Sequence, residues 1–189
     1  MTFLDDHSRV AVASRVLKVA TAPKVLEIFG QAGTTWGLPA ALLTDNGCVY
    51  TTWHRGGPNV MQTELLAAGI DYRHSRPYHP QTCGKVERFH QTLKRWLAKQ
   101  QGASSILELQ GQVDRFVAYY NEVRPHRAVG RRPPRAAFDA RDKARPSGPE
   151  DPGRCWGSGA SLGGESPLPG TEPRLQCGGP QLLLDTSIC

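Results

Sequence analysis

Apolar and polar positions change rhythm several times along the chain, and each change marks an element. Met1 to Val19 alternates well enough for two short strands. Asp5, Asp6, His7 and Ser8 form the turn of this hairpin, and Val10, Val12, Val16 and Val19 supply β-branched residues. From Pro23 the rhythm becomes helical, with Val25, Ile28, Phe29, Ala32 and Trp36 on one stripe that Gly37 and Pro39 stop. Ala40 to Thr44 is short and uniformly apolar, as a buried strand is, and runs into the turn Asp45-Asn46-Gly47. A Gly/Pro-containing loop over 51–59 leads to a short helix from Val60 to Ala68, closed by Gly69, and a strand from Ile70 to His74.

Pro77, Pro80 and Gly84 keep the next stretch out of helix, and from Lys85 the stripe Val86, Phe89, Leu93, Trp96 and Leu97 predicts a second long helix. Ser105 with Glu108 reads as a capping box that opens a third, whose buried stripe is Ile106, Leu109, Val113, Phe116, Val117 and Tyr120. Arg124-Pro125-His126 and Arg131 to Arg135 follow as a Pro-rich basic segment, equally readable as surface or as DNA contact. Beyond Pro146 the rhythm is lost, except at Leu182 to Leu184.

Composition sharpens that boundary. Residues 147–189 contain 15 Gly or Pro among 43, and five acids against two bases, a net −3. That Pro-plus-Gly share exceeds the roughly 25–30% typical of disordered segments, so a disordered tail is expected over 147–189 behind one domain over 1–146. The domain holds 21 basic and 12 acidic residues, net +9, which favours a polyanionic partner through counterion release. Arg73, Arg76, Lys85, Arg88, Lys94, Arg95 and Lys99 concentrate the excess. Five cysteines without a Cys-x-x-Cys pair suggest free thiols rather than a disulfide framework or zinc ribbon, and the six histidines lack a zinc spacing. The absence of a roughly 20-residue apolar run and of an apolar leader suggests a cytoplasmic protein with no membrane partner.

The chemistry concentrates at Ser75 to Lys94, SRPYHPQTCGKVERFHQTLK. Glu87, Gln91 and Lys94 share a helix face, with a carboxylate one or two turns from a lysine, which suits metal and phosphate chemistry. This stretch resembles the last acidic motif of the DDE transposases and retroviral-type integrases, most closely those of bacterial insertion sequences. LDDHSR at Leu4 to Arg9, LLTDNG at Leu42 to Gly47 and YNEVRPHRA at Tyr120 to Ala128 occur in the same order as in that family. Ordered words are far more specific than any single short motif.

The resemblance implies an α/β fold, a ribonuclease-H-like mixed sheet with flanking helices, and the activity of a transposable element: metal-dependent DNA cleavage and strand transfer in DNA recombination. It implies Mg²⁺ or Mn²⁺ as cofactor, DNA as partner and a possible homo-oligomer. Asp45 and Glu87 match two of the family's three metal-holding acids, and Asp-Asn-Gly by itself is an ordinary turn. Arg76, Lys85, Arg88, Gln91, Lys94 and Arg95 are the expected nucleic-acid contacts, Lys94 positioning a phosphate or DNA end.

In the family the third acid lies on a central strand upstream of the hairpin word, and the sequence begins inside that hairpin. The resemblance therefore predicts a sheet that lacks its central strand, with two interior edges unpaired. Each unpaired buried backbone group costs about 1–3 kcal/mol against a domain stability of about 5–15 kcal/mol. On this expectation the chain is inactive in strand transfer. The alternative is a non-catalytic remnant that binds DNA nonspecifically or interferes with an intact transposase. Asp5 and Asp6 are expected to serve the turn rather than a metal.

Overall fold

The computed structural model describes residues 1–45, 60–74 and 84–148, and the backbone of 181–185. The hairpin forms as expected: β1 (Thr2–Asp5) and β2 (Ala11–Ser14) pair antiparallel. The Asp5 carboxylate makes the turn, accepting from the Ser8 backbone N–H at 2.7 Å and the Ser8 hydroxyl at 2.6 Å. α1 (Ala22–Trp36), β3 (Ala41–Thr44), α2 (Val60–Ala67), β4 (Asp71–His74), α3 (Gly84–Leu97) and α4 (Ile106–Glu122) follow where the periodicity put them. A 3₁₀ turn (Arg127–Val129) and α5 (Pro134–Asp139) complete the part before Gly148. The expected loop over 51–59 and the basic turn over 75–83 lie outside the described residues.

The sheet is mixed, in the order β2-β1-β5-β3-β4, where β5 is Gln181–Asp185. Two helical layers cover it, because consecutive strand residues point to opposite faces. Phe3 and Leu42 join Val25, Phe29, Met61 and Leu65 under α1 and α2. Leu4, with Leu43 at its margin, joins Val86, Phe89, Phe116 and Tyr120 under α3 and α4. Phe89 is the hub of the second layer, with ring centroids 5.5 Å from Phe116 and 4.8 Å from Tyr120.

The place between β1 and β3 holds β5, which pairs antiparallel with β1 and parallel with β3. The basic segment after α4 is also more structural than its charge suggested. His126 and Arg132 form an antiparallel bridge, and Gly130 (φ 69°) and Arg131 (φ 60°) make its left-handed turn.

Two further contacts hold the periphery. Gly69 (φ 71°) ends the α2 turn, and its carbonyl accepts from the Ser147 N–H at 3.0 Å. A Cβ at Gly69 would stand 2.0 Å from the Gly148 nitrogen, so only glycine lets the returning chain dock there. On the opposite side, α4 covers the outer edge of β2. The Asn121 amide accepts from Ala11 N–H and donates to Ala11 C=O, both at 3.0 Å, and the Gln110 amide does the same for Val16 N–H (2.7 Å) and Ser14 C=O (3.1 Å). Two side chains thus stand in for a neighbouring strand and close an exposed edge.

Candidate nucleic-acid and metal site

α3 has the strongest amphipathic division of the long helices. Val86, Phe89, His90 and Leu93 are buried, and Glu87, Arg88, Gln91, Lys94 and Arg95 are exposed. Glu87 stands in the first turn and Lys94 and Arg95 in the last, an arrangement that also complements the helix dipole. Arg88, Lys94 and Arg95 make no ion pair with any described residue, so their charge is available to a partner. Lys85 is engaged within the fold: its ammonium pairs with Asp6, which also faces Arg9 at 3.6 Å. The pair ties the start of α3 to the β1–β2 turn, so Asp6 and Lys85 serve the fold first. Arg76 lies outside the described residues.

His90, one turn beyond Glu87, was not singled out by sequence. Its Nε2 lies 3.0 Å from the hydroxyl of Thr2, which lies 3.0 Å from that of Ser14, and all three are buried. This chain of polar groups anchors α3 across β1 and β2. Helical spacing from Glu87 was the available signal, but a histidine beside Phe89 reads as ordinary core.

Asp45 directly follows β3 and is half-buried. Thr44 donates to the Tyr72 hydroxyl at 3.2 Å and lies at the same distance from His74 Nδ1, so the strand end is held by its neighbour β4. Burial pushes the Tyr72 phenol up to about 12, the Thr44 hydrogen bond opposes the rise, and the nearby Asp45 charge adds to it. Tyr72 therefore stays neutral and can act as a hydrogen-bond donor beside Asp45. α3 packs on β1 and β5, with β5 lying between β1 and β3. Among the described residues, no three acids, histidines or cysteines gather closely enough to hold a metal ion. Asp45 and Glu87 are nevertheless hard oxygen donors of the kind Mg²⁺ takes.

Residues 68–134, from the end of α2 to the start of α5, match the integrase core domain family. That match takes in about a third of the chain. The chain is 37% identical over 99 residues to the Pol-related polyprotein of a mouse intracisternal A-particle, an alignment that covers 51% of the chain and 10% of the polyprotein. It is 25% identical over 134 residues to a 39.2 kDa protein of insertion element IS476 from Xanthomonas euvesicatoria, with 71% of the chain and 37% of that protein covered. The chain thus spans well under half the length of these relatives. Its fold is that of retroviral integrase cores, as the HTLV-2 integrase catalytic core domain in complex with magnesium, in a trimeric form, illustrates. That likeness has a TM-score of 0.54 at 19% identity, over 72% of this chain and 82% of that one, and speaks to the fold alone. No described helix is long and apolar enough to cross a membrane.

Proposed function

We propose that the chain is a transposase-type DNA-processing core that binds duplex DNA through α3 and holds a divalent cation with Asp45 and Glu87. The observation that carries this reading is α3 itself: an acid in the first turn and unpaired basic residues along the exposed face, within the residues that match the integrase core. Arg88, Lys94 and Arg95 would bind backbone phosphates, Gln91 would add a neutral hydrogen bond, and the buried Thr2–His90 contact would keep the helix from rolling. Bound Mg²⁺ would supply charge neutralisation at the attacking and leaving oxygens of a phosphodiester. The protein's part is to fix the carboxylates, and a displacement of about 1 Å can cost on the order of 10²-fold in rate. The expected setting is DNA in the cytoplasm, with assembly of several copies on it.

The second reading, a core that binds DNA without cutting it, draws on the lack of a three-acid cluster among the described residues. Both are tested with an oligonucleotide duplex and plasmid in Mg²⁺ or Mn²⁺. Nonspecific binding with a dissociation constant near 10⁻⁴ to 10⁻⁶ M at physiological salt is expected, weakening as salt rises. Cleavage or joining that disappears in Glu87→Gln supports the catalytic reading, and binding alone supports the second. Affinity independent of salt overturns the α3 interface.

A further inference from the structure

We propose that Arg9, Arg124 and His126 form a binding site for a phosphate group, at the β1–β2 turn where α4 ends and apart from the exposed face of α3. The inference depends neither on the metal reading above nor on DNA binding by α3.

Two buried side-chain nitrogens lack a hydrogen-bond partner among the described residues, Arg9 Nη1 and His126 Nδ1. They come from distant parts of the chain, yet both belong to the surroundings of Tyr120. The His126 ring lies 6.1 Å from the Tyr120 ring, and the Arg124 guanidinium stands 5.6 Å over it. Burial pushes the Tyr120 phenol up to about 12, and the charges of Arg124 and Arg9 oppose that rise just as both act on His126. Orphaned polar atoms that gather in one place mark a site for water or an ion.

The local charge favours an ion. Arg9, Lys85 and Arg124 bring three cations together, and the ion pairs set one acid, Asp6, against them. A single Asp6 oxygen is shared, since Lys85 pairs with it and Arg9 Nη1 stands 3.6 Å away, beyond hydrogen-bond reach. The neighbouring Asp5 gives little help: it lines the groove beside Phe29 and Trp36, and its Oδ2 is taken by Ser8. An anion would offset the excess and give both nitrogens an acceptor, whereas water would leave the charge in place. Donors from separate segments suit the several oxygens of a phosphate better than the two of a carboxylate.

The backbone holds these side chains in position. Arg9 sits at φ 69°, in the left-handed region that turns ordinarily give to glycine or asparagine. A long side chain kept in so unfavourable a conformation points to a use for its guanidinium. The His126 main chain is spent on the bridge to Arg132, at 3.1 Å, and on the Arg131 N–H, at 2.9 Å, which fixes the base of the ring. Arg9, Arg124 and His126 are each partly exposed, so a phosphate can enter from solvent. Protonated His126 would donate to it through Nδ1, so phosphate and ring proton favour each other's binding.

The test uses the full 189-residue chain in phosphate-free buffer, with inorganic phosphate as the probe and the His126 ring resonances as the readout. Saturable binding should raise the His126 pKa from below 6.5 to that value or above it, and Arg9→Gln or Arg124→Gln should weaken binding about tenfold or more. Arg124→Gln carries the test if Arg9→Gln disturbs the turn. A short DNA duplex is the second arm. If the duplex moves His126 as phosphate does, the DNA backbone is the source of the phosphate, and saturation by phosphate with no response to duplex makes it a free phosphate. A ring that responds to neither, or responds equally in Arg124→Gln, overturns the site and leaves water between the two nitrogens. Weakening by Arg88→Ala as large as that by Arg124→Gln would place the phosphate on α3 and overturn the assignment as well.

Discussion

α3 and α4 lie side by side on one face of the sheet and share one aromatic core, yet their polar residues serve opposite ends. On α4, Gln110 and Asn121 turn inward and their amides are consumed by the backbone of β2. On α3, Glu87, Arg88, Gln91, Lys94 and Arg95 face water, and only Lys85 is spent on an internal ion pair. The difference follows from position. α4 lies over a strand edge whose N–H and C=O groups need partners, whereas α3 lies over the sheet's interior, where the strands satisfy one another. Polar residues near an edge are recruited to the fold, and those on a helix over a completed sheet remain available for a ligand.

The sharpest way to break this comparison is Glu87→Gln. If α3 is the working helix, the change should lower DNA joining by on the order of 10²-fold or more and leave the melting temperature unmoved. A fall in melting temperature with activity retained would make Glu87 structural. Asn121→Ala is the counterpart on α4. It leaves the Ala11 N–H and C=O buried without partners, at about 1–3 kcal/mol each, so thermal or urea denaturation should show a clear loss of stability. DNA affinity of the remaining folded protein should not change, and an unaltered denaturation midpoint would refute the edge-covering role.

Charge removal on α3 should act more gently. Each of Arg88→Ala, Lys94→Ala and Arg95→Ala should reduce the slope of log affinity against log salt by about 0.9 if that residue contacts a phosphate, with stability unchanged. An unchanged slope in all three would move the interface elsewhere. The smallest effect is expected beside α4, at His126, whose ring lies 6.1 Å from that of Tyr120. Burial, and then the charges of Arg124 and Arg9, hold its imidazole below the ordinary value of 6.5, and its Nδ1 is buried without a hydrogen-bond partner. The fold therefore favours the neutral ring. That contribution is complete above pH 6.5 and fades as pH falls below it, since the unfolded chain takes up the proton first. Denaturation midpoints should drop on acidification through this window, and His126→Gln should flatten part of the drop. Identical pH profiles for the two proteins would remove His126 from the account.

Much of this was legible in the chain. The stripe Val86, Phe89, Leu93 identified both the buried side of α3 and, by elimination, its exposed acid and bases. The hairpin turn at Asp5 and the Ser105 cap were equally plain, because turn and cap chemistry is local. The ion pair of Lys85 was not legible, because its partner Asp6 is distant in sequence. Asn121 and Gln110 gave no signal, since an amide on a helix looks the same whether it meets water or a strand edge.

By itself, the amino-acid sequence determined the elements, the two-faced alternation of the strands and the chemistry carried by α3, all of which depend on residues a few positions apart. Only the tertiary structure decided what those elements meet. Leu182 to Leu184 would suit almost any covered strand, and their apolar character says nothing of which edge they join or in what register. The pairing with β1 and β3 does decide it, because backbone groups from opposite ends of the chain satisfy each other there.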